Sequence, residues 1–272
     1  MNPKAKRVSV FVSYSDEAGI ADPSGEFLVA GYVAPEGEWP FVASAWQERV
    51  LDGPPKIPYL HMTEIRSEHW RKRYGLSLDD SEQRIGEAVN IMHSTGYITA
   101  VMSLIKRSDL LGAVQDRFRR GKRVPLGLNE PDYFCYPAYF EVMAQQVHIR
   151  YPEAEKINFV VSKKEKVTHH LEEFHGIVKQ RIAPEMAGLI GDFMPASMEL
   201  QLPLQCADLL CWYFQRHYAK NMDRTDEGRF AMLVNETNGI IVEWERPALE
   251  DLADKIALEL TYANSQKDAS LL

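Results

Sequence analysis

"VSVFVSYSDEAG", residues 8–19, decides the fold. Val8, Val10, Val12 and Tyr14 alternate with Ser9, Phe11, Ser13 and Ser15, the period-two pattern of a strand. Counting by twos puts Asp16 on the valine side and Glu17 on the other, with Ser13 and Ser15. Ala18-Gly19 then lets the backbone turn away and leaves room beside the acids. An Asp at a strand tip either caps the turn by accepting backbone N–H groups or faces a ligand, since ligands gather at the strand ends of α/β sheets.

Outward from this strand, "GIADPSGE" is turn chemistry and "FLVAGYVA" (27–34) a second strand, so the two are expected to form an antiparallel hairpin. A helix at 38–51 follows, then the proline-rich "DGPPKIPYLHMTEI", an amphipathic helix at 79–96 and a third strand at 97–105. After a basic stretch come a helix at 132–150 and "KINFVVS" (156–162), a continuous apolar run suited to the middle of a sheet. Helix 164–182, a short strand at 188–194 and helix 203–220, with Pro203 in its first turn, complete the main body. A helix near 226–235, a strand at 239–245 and a closing helix at 247–263 end the chain. This order predicts an α/β protein with a mixed sheet covered by helices. It is read as a single domain over 1–272, with a core at about 8–220 and an extension at 221–272.

At 272 residues, with 45% hydrophobic and 26% charged residues, the chain has the composition of a protein with a sizeable core. No apolar run reaches the roughly 18 residues that span a bilayer, and the N-terminal apolar stretch is broken by Ser9 and Ser13, so neither anchor nor signal peptide is expected. Cys135, Cys206 and Cys211 contain no Cys-x-x-Cys, which points away from a disulfide framework or zinc knuckle and toward a reducing cytoplasm. Net charge of -8 opposes non-specific wrapping of nucleic acid. Two stretches, 66–74 and 106–123, are nevertheless basic, either as solvated helix faces or as a grip on phosphates.

Asp208 is the sole charged residue in "LQLPLQCADLLCWYFQ" (200–215), a segment apolar enough to be buried around most of its circumference. A carboxylate there costs several kcal/mol unless paired or bound to a metal. It is either salt-bridged or protonated in the core, or part of a site. Gln205, three residues earlier, shares its face and is placed to orient it or meet a substrate. His61 and Glu64 sit three apart where a helix begins. Two carboxylates from distant parts of a chain, meeting at one sheet edge, suit Mg2+ or Mn2+, which take oxygen ligands and retain waters for substrate phosphates. "HHLEEFH" (169–175) lacks metal-ligand spacing and reads as a solvated helix surface, and Cys206 and Cys211 read as small core residues. No P-loop, dinucleotide fingerprint or Gly-x-Ser-x-Gly elbow is present.

"SDEAG", "FLVAGYV", "LHMTEI" and "LQCADLLCW" together resemble the family known as domain of unknown function 3800, over Val8 to about Tyr218. The late motif matches at Leu204, Gln205, Ala207, Asp208, Leu209 and Leu210; the early one has Ala18 where serine is usual. The resemblance implies a ribonuclease-H-like mixed β-sheet flanked by helices, with helical insertions and a C-terminal extension. It also implies a divalent-metal-dependent nuclease or phosphodiesterase acting on DNA or RNA. Asp16, Glu17, Gln205 and Asp208 carry over from its motifs, with His61 and Glu64 matching a less regular segment. Asp16, Asp208 and Glu64 are the expected ligands of Mg2+ or Mn2+, Glu17 a further ligand or base, and His61 and Gln205 orienting groups. Where the family's central strand often ends in Asp, this chain has Ser162, so Glu64 or Glu165 supplies the missing oxygen, one metal binds, or hydrolysis is lost. The remaining alternatives are an inactive binding or scaffold protein of the same fold, or a hydrolase of a small nucleotide or phosphoester.

Overall fold

A computed structural model describes residues 9–19, 25–96, 98–118, 128–234 and 239–255, except the side chains of 9, 115–116 and 165–167. Six strands form one sheet: β1 (Ser9–Ala18), β2 (Glu26–Pro35), β3 (Thr99–Lys106), β4 (Ala154–Ser162), β5 (Ile190–Ala196) and β6 (Ile240–Trp244). Their order is β5-β4-β1-β2-β3-β6. β1, β2 and β3 run antiparallel in sequence, β4 is parallel to β1, β5 to β4, and β6 to β3. The mixed sheet is thus the expected one, and β6, read from sequence as part of an extension, joins its edge.

Helices cover both faces. Between β2 and β3 lie α1 (Trp39–Trp46), continued by a π-turn at Gln47–Leu51, then α2 (Met62–Ile65), α3 (Glu68–Tyr74) and α4 (Leu78–Ser94). α5 (Arg107–Phe118) and α6 (Asp132–Arg150) cross to β4, and α7 (Glu165–Arg181) links β4 to β5. α8 (Leu202–Tyr218) and α9 (Arg224–Val234) lead to β6, and residues 246–255 are helical. The basic stretch 106–123 opens as α5; residues 119–123 lie outside the described set, as do the hairpin turn at 20–24 and the end of the closing helix beyond 255. Among the described residues no helix is long and apolar enough to cross a membrane.

Alternation sorts β1 between two cores. Val12 and Tyr14 pack with α1, α4 and α8 on one face; Phe11 packs with α5, α6 and α7 on the other. β2 is buried along almost its whole length, which is why its sequence is apolar without alternation. Each large side chain removed from water here, such as Trp46 or Phe140, contributes about 2–3 kcal/mol. Gly31 has a packing role: a Cβ there would collide with the Tyr14 carbonyl and the Tyr139 hydroxyl. Its absence lets Tyr139 reach Ser13 Oγ at 2.8 Å and pin α6 against β1. α8 lies against β1 and β2, buried from Pro203 to Cys211 and at Tyr213 and Phe214. That contact brings Asp208 to the end of β1.

Candidate functional site

At the carboxyl end of β1 a cavity of about 370 Å³ is lined by Asp16, Glu17, His61, Lys164 and Asp208, with Thr63, Cys211, Trp212 and Gln215 completing its wall. β1 supplies Asp16 from the face it shares with α8, and α8 supplies Asp208. The opening strand and the late helix therefore deliver their isolated acids to one cavity.

Each acid has a defined setting. Asp208 is 6% exposed; its Oδ2 accepts the Met62 backbone N–H at 2.8 Å, and its Oδ1 lies 3.5 Å from His61 Nε2. Burial raises its pKa to about 7; His61 works against the rise and the Asp16 charge adds to it. Asp16 Oδ1 accepts from Lys164 Nζ at 2.9 Å, and the Asp16 carbonyl accepts from Cys211 Sγ at 3.0 Å. Glu17 turns to the α6 face, where the Tyr136 hydroxyl donates to its Oε2. Burial lifts its pKa to about 7, Lys164 opposes that and Asp16 reinforces it. Lys164 Nζ lies 3.3 Å from Glu17 Oε1 and donates to the Glu17 carbonyl at 2.9 Å. Burial works against the lysine's charge, but the two carboxylates outweigh it, so its pKa is raised.

Asp16, Glu17, Asp208 and His61 are thus brought together; Gln205 and Glu64 do not line the cavity. Gln205 is fully buried, and its Oε1 accepts from Trp46 Nε1 and the Leu60 backbone N–H, both at 2.9 Å. Its Nε2 donates to the Met198 carbonyl at 2.9 Å. The orienting role expected of Gln205 toward water or substrate is corrected accordingly: its amide is spent tying α8 to α1 and to the segment before α2. Glu64, expected as a metal ligand, instead lies with Oε2 3.9 Å from His61 Nδ1 and beside the Tyr59 side chain. Glu165 heads α7, but its side chain lies outside the described set. Ser162 is buried at the end of β4 and is not part of the cavity wall.

Lys164 was missed by sequence reasoning, although a signal existed. Val160 packs on the α8 face, and continuing by twos through Ser162 reaches Lys164, still extended before α7 begins. Cys211 was read as a core residue; it is buried and also lines the cavity. "HHLEEFH" is not a wholly solvated surface either, since His170 Nδ1 lies 3.3 Å from buried Asp132 Oδ2 and His175 packs on Phe193.

Among the described residues, no group of three or more His, Cys, Asp and Glu side chains converges to hold a metal. Three acids line the cavity: Glu17 turns toward α6, Asp16 and Asp208 come from the α8 side, and among the described residues Asp208 Oδ1 meets the His61 ring. That donor set fits an ion such as Mg2+, which takes one or two carboxylates and completes its shell with waters and phosphate oxygens. It does not form an all-protein cage.

The sheet order and strand directions define a ribonuclease-H-like fold. No family model and no curated protein matches the chain. Among solved structures it is similar to a chain of the PCNA:RNase HII complex from Archaeoglobus fulgidus, at 14% identity and a TM-score of 0.39, over 81% of this chain and 78% of that one. It is also similar to Bst-RNase HIII in complex with Mn2+, at 14% identity and a TM-score of 0.34, over 93% of this chain and 70% of that one. A mutant of Bst-RNase HIII gives 13% identity and a TM-score of 0.35 over the same shares.

Proposed function

We propose that this chain is a divalent-metal-dependent phosphodiesterase of ribonuclease-H-like type that acts on DNA or RNA, and a member of the domain of unknown function 3800 family. One observation carries the reading: Asp16 and Asp208, from the first strand and a late apolar helix, line the same cavity. They are the residues that would hold Mg2+ or Mn2+. A bound ion of this kind activates water and stabilises the leaving oxygen of a phosphodiester.

The chain's own groups do the rest. His61, with Nε2 toward the cavity side of Asp208 and Nδ1 toward Glu64, is placed to move a proton at the leaving or attacking oxygen. Glu64 orients that ring. Glu17, bonded by Tyr136, backs the site from the opposite face of the sheet. Trp212 on the cavity wall carries Arg66 and Arg216 against its ring, at 5.1 and 4.7 Å from the centroid. This places the start of the basic stretch 66–74 beside the cavity, with Arg66 paired to Glu82 and Asp226 and Arg216 paired to Asp226. Three buried thiols fit a reducing cytoplasm.

A second reading has one observation in its favour. Lys164 neutralises Asp16 without any metal, as expected of a binding or scaffold protein whose centre no longer hydrolyses. Labelled single- and double-stranded DNA and RNA, incubated with Mg2+ or Mn2+, separate the two. Cleavage by the wild type and its loss in Asp16→Ala and Asp208→Ala support the enzyme. Cleavage by both variants at the wild-type rate sinks it, and binding without cleavage supports the scaffold.

A further inference from the structure

The Lys164 ammonium is held as a hard cation is held. Its Nζ has three oxygens around it: Asp16 Oδ1 at 2.9 Å, the Glu17 carbonyl at 2.9 Å and Glu17 Oε1 at 3.3 Å. The first two accept hydrogen bonds from the ammonium, and the third is an ion-pair contact whose oxygen has no hydrogen-bond partner of its own among the described residues. The backbone fixes the arrangement from both sides. β4 pairs with β1 in parallel register through Ser15 and Val161, so the chain leaving β4 passes beside the end of β1. Lys164, extended at φ -126° and ψ 140°, is the residue from which α7 starts.

The acids are also split between two positions. Lys164 spans Asp16 and Glu17, whereas Asp208 Oδ1 lies against His61. Asp16 Oδ1 is committed to the ammonium, and among the described residues its Oδ2 makes no hydrogen bond. That oxygen and Asp208 Oδ1 are the carboxylate atoms on the α8 side open to an added ion, while Glu17 Oε1 lies against the ammonium. Two divalent ions at a phosphodiester centre stand about 3.5–4 Å apart, and each needs oxygen ligands of its own. Here the acids on the Glu17 side already share a fixed positive charge, and Ser162 offers no carboxylate in their place.

We propose that Lys164 is a resident cation that substitutes for the second metal ion, so that the site takes a single divalent ion, held by Asp16 and Asp208. The inference rests on the phosphodiesterase reading and goes beyond it by fixing the stoichiometry and naming the group that fills the second place. Lys164 acts as a positioning residue: it holds the Asp16 carboxylate and closes the Glu17 side to a second ion.

The test counts Mn2+ bound per chain, by calorimetry and by electron paramagnetic resonance of free Mn2+, in wild type, Lys164→Met and Asp208→Asn. One ion in the wild type, two in Lys164→Met and none in Asp208→Asn at millimolar Mn2+ is the expected pattern. Two ions in the wild type overturn the inference while leaving the phosphodiesterase reading intact. No ion in either the wild type or Lys164→Met overturns both. One ion in Lys164→Met, at unchanged affinity, shows that the lysine excludes nothing and also overturns the inference. Removing the ammonium leaves two buried acids uncompensated, so metal-free Lys164→Met is expected to melt lower, and Mn2+ is expected to restore its transition. A variant that stays unfolded with Mn2+ present contradicts the inference.

Discussion

His61 Nε2 stands 3.5 Å from Asp208 Oδ1, and its Nδ1 faces Glu64 Oε2 at 3.9 Å. The imidazole is therefore gripped between a buried acid and a half-exposed one at the mouth of the cavity. If it moves a proton in the reaction, His61→Ala is expected to lower kcat by about 10²–10⁴-fold with a small change in KM. Because the ring stands against buried Asp208, its removal is also expected to cost about 1 kcal/mol of stability where that acid is ionised. Steady-state kinetics and urea denaturation of the same preparation check both halves. Unchanged kcat sinks the assignment.

Buried acids with raised pKa values make a signed statement about stability. Asp208 and Glu17, with ordinary values of 3.8 and 4.5, are pushed to about 7 in the folded protein. Between about pH 4 and 7 the folded state holds protons that the unfolded chain has released, so stability falls as pH rises through that window. The stabilising contribution is full below the unfolded values and lost above about pH 7. For Asp208 the shift corresponds to at most about 4 kcal/mol. Urea melts in chelator at pH 5 and pH 8 are expected to show Asp208→Asn gaining on the wild type at the higher pH. A difference between the two proteins that does not change with pH contradicts the burial argument.

Gln205 is expected to behave as a structural residue. Gln205→Leu leaves the Trp46 Nε1–H and the Leu60 N–H without their acceptor inside the core, at about 1–3 kcal/mol each. A loss of about 2–5 kcal/mol in urea denaturation is the expected result. A variant of wild-type stability that cleaves 100-fold more slowly would return Gln205 to the substrate.

The hairpin, the order of the elements and the burial of α8 were legible because periodicity reports them directly. Val8 to Tyr14 alternate, and the 200–215 segment has Asp208 as its one charge. Those same features exposed Asp16 and Asp208, each an acid where an apolar pattern should have continued. Lys164 was hidden for the opposite reason: it sits in "SKKEK", where a charged run reads as solvent-facing, and its partner Asp16 is 148 positions away. Gln205 misled because helical spacing places it beside Asp208, yet a helix buried on nearly every side offers partners other than the cavity. Spacing along one element gives a direction; what waits there is set by tertiary packing. The edge position of β6 was likewise invisible, since nothing local links residues 240–244 to β3.

The account depends on Asp16 and Asp208 sharing a cation, and a crystal of the full chain soaked in Mn2+ tests that most directly. Anomalous scattering is expected to show one peak in the cavity, within about 2.0–2.3 Å of a carboxylate oxygen from each residue, with Lys164 still on Asp16 and Glu17. A cavity without a peak at millimolar Mn2+, or an ion held elsewhere on the chain while both acids keep their metal-free partners, would contradict it.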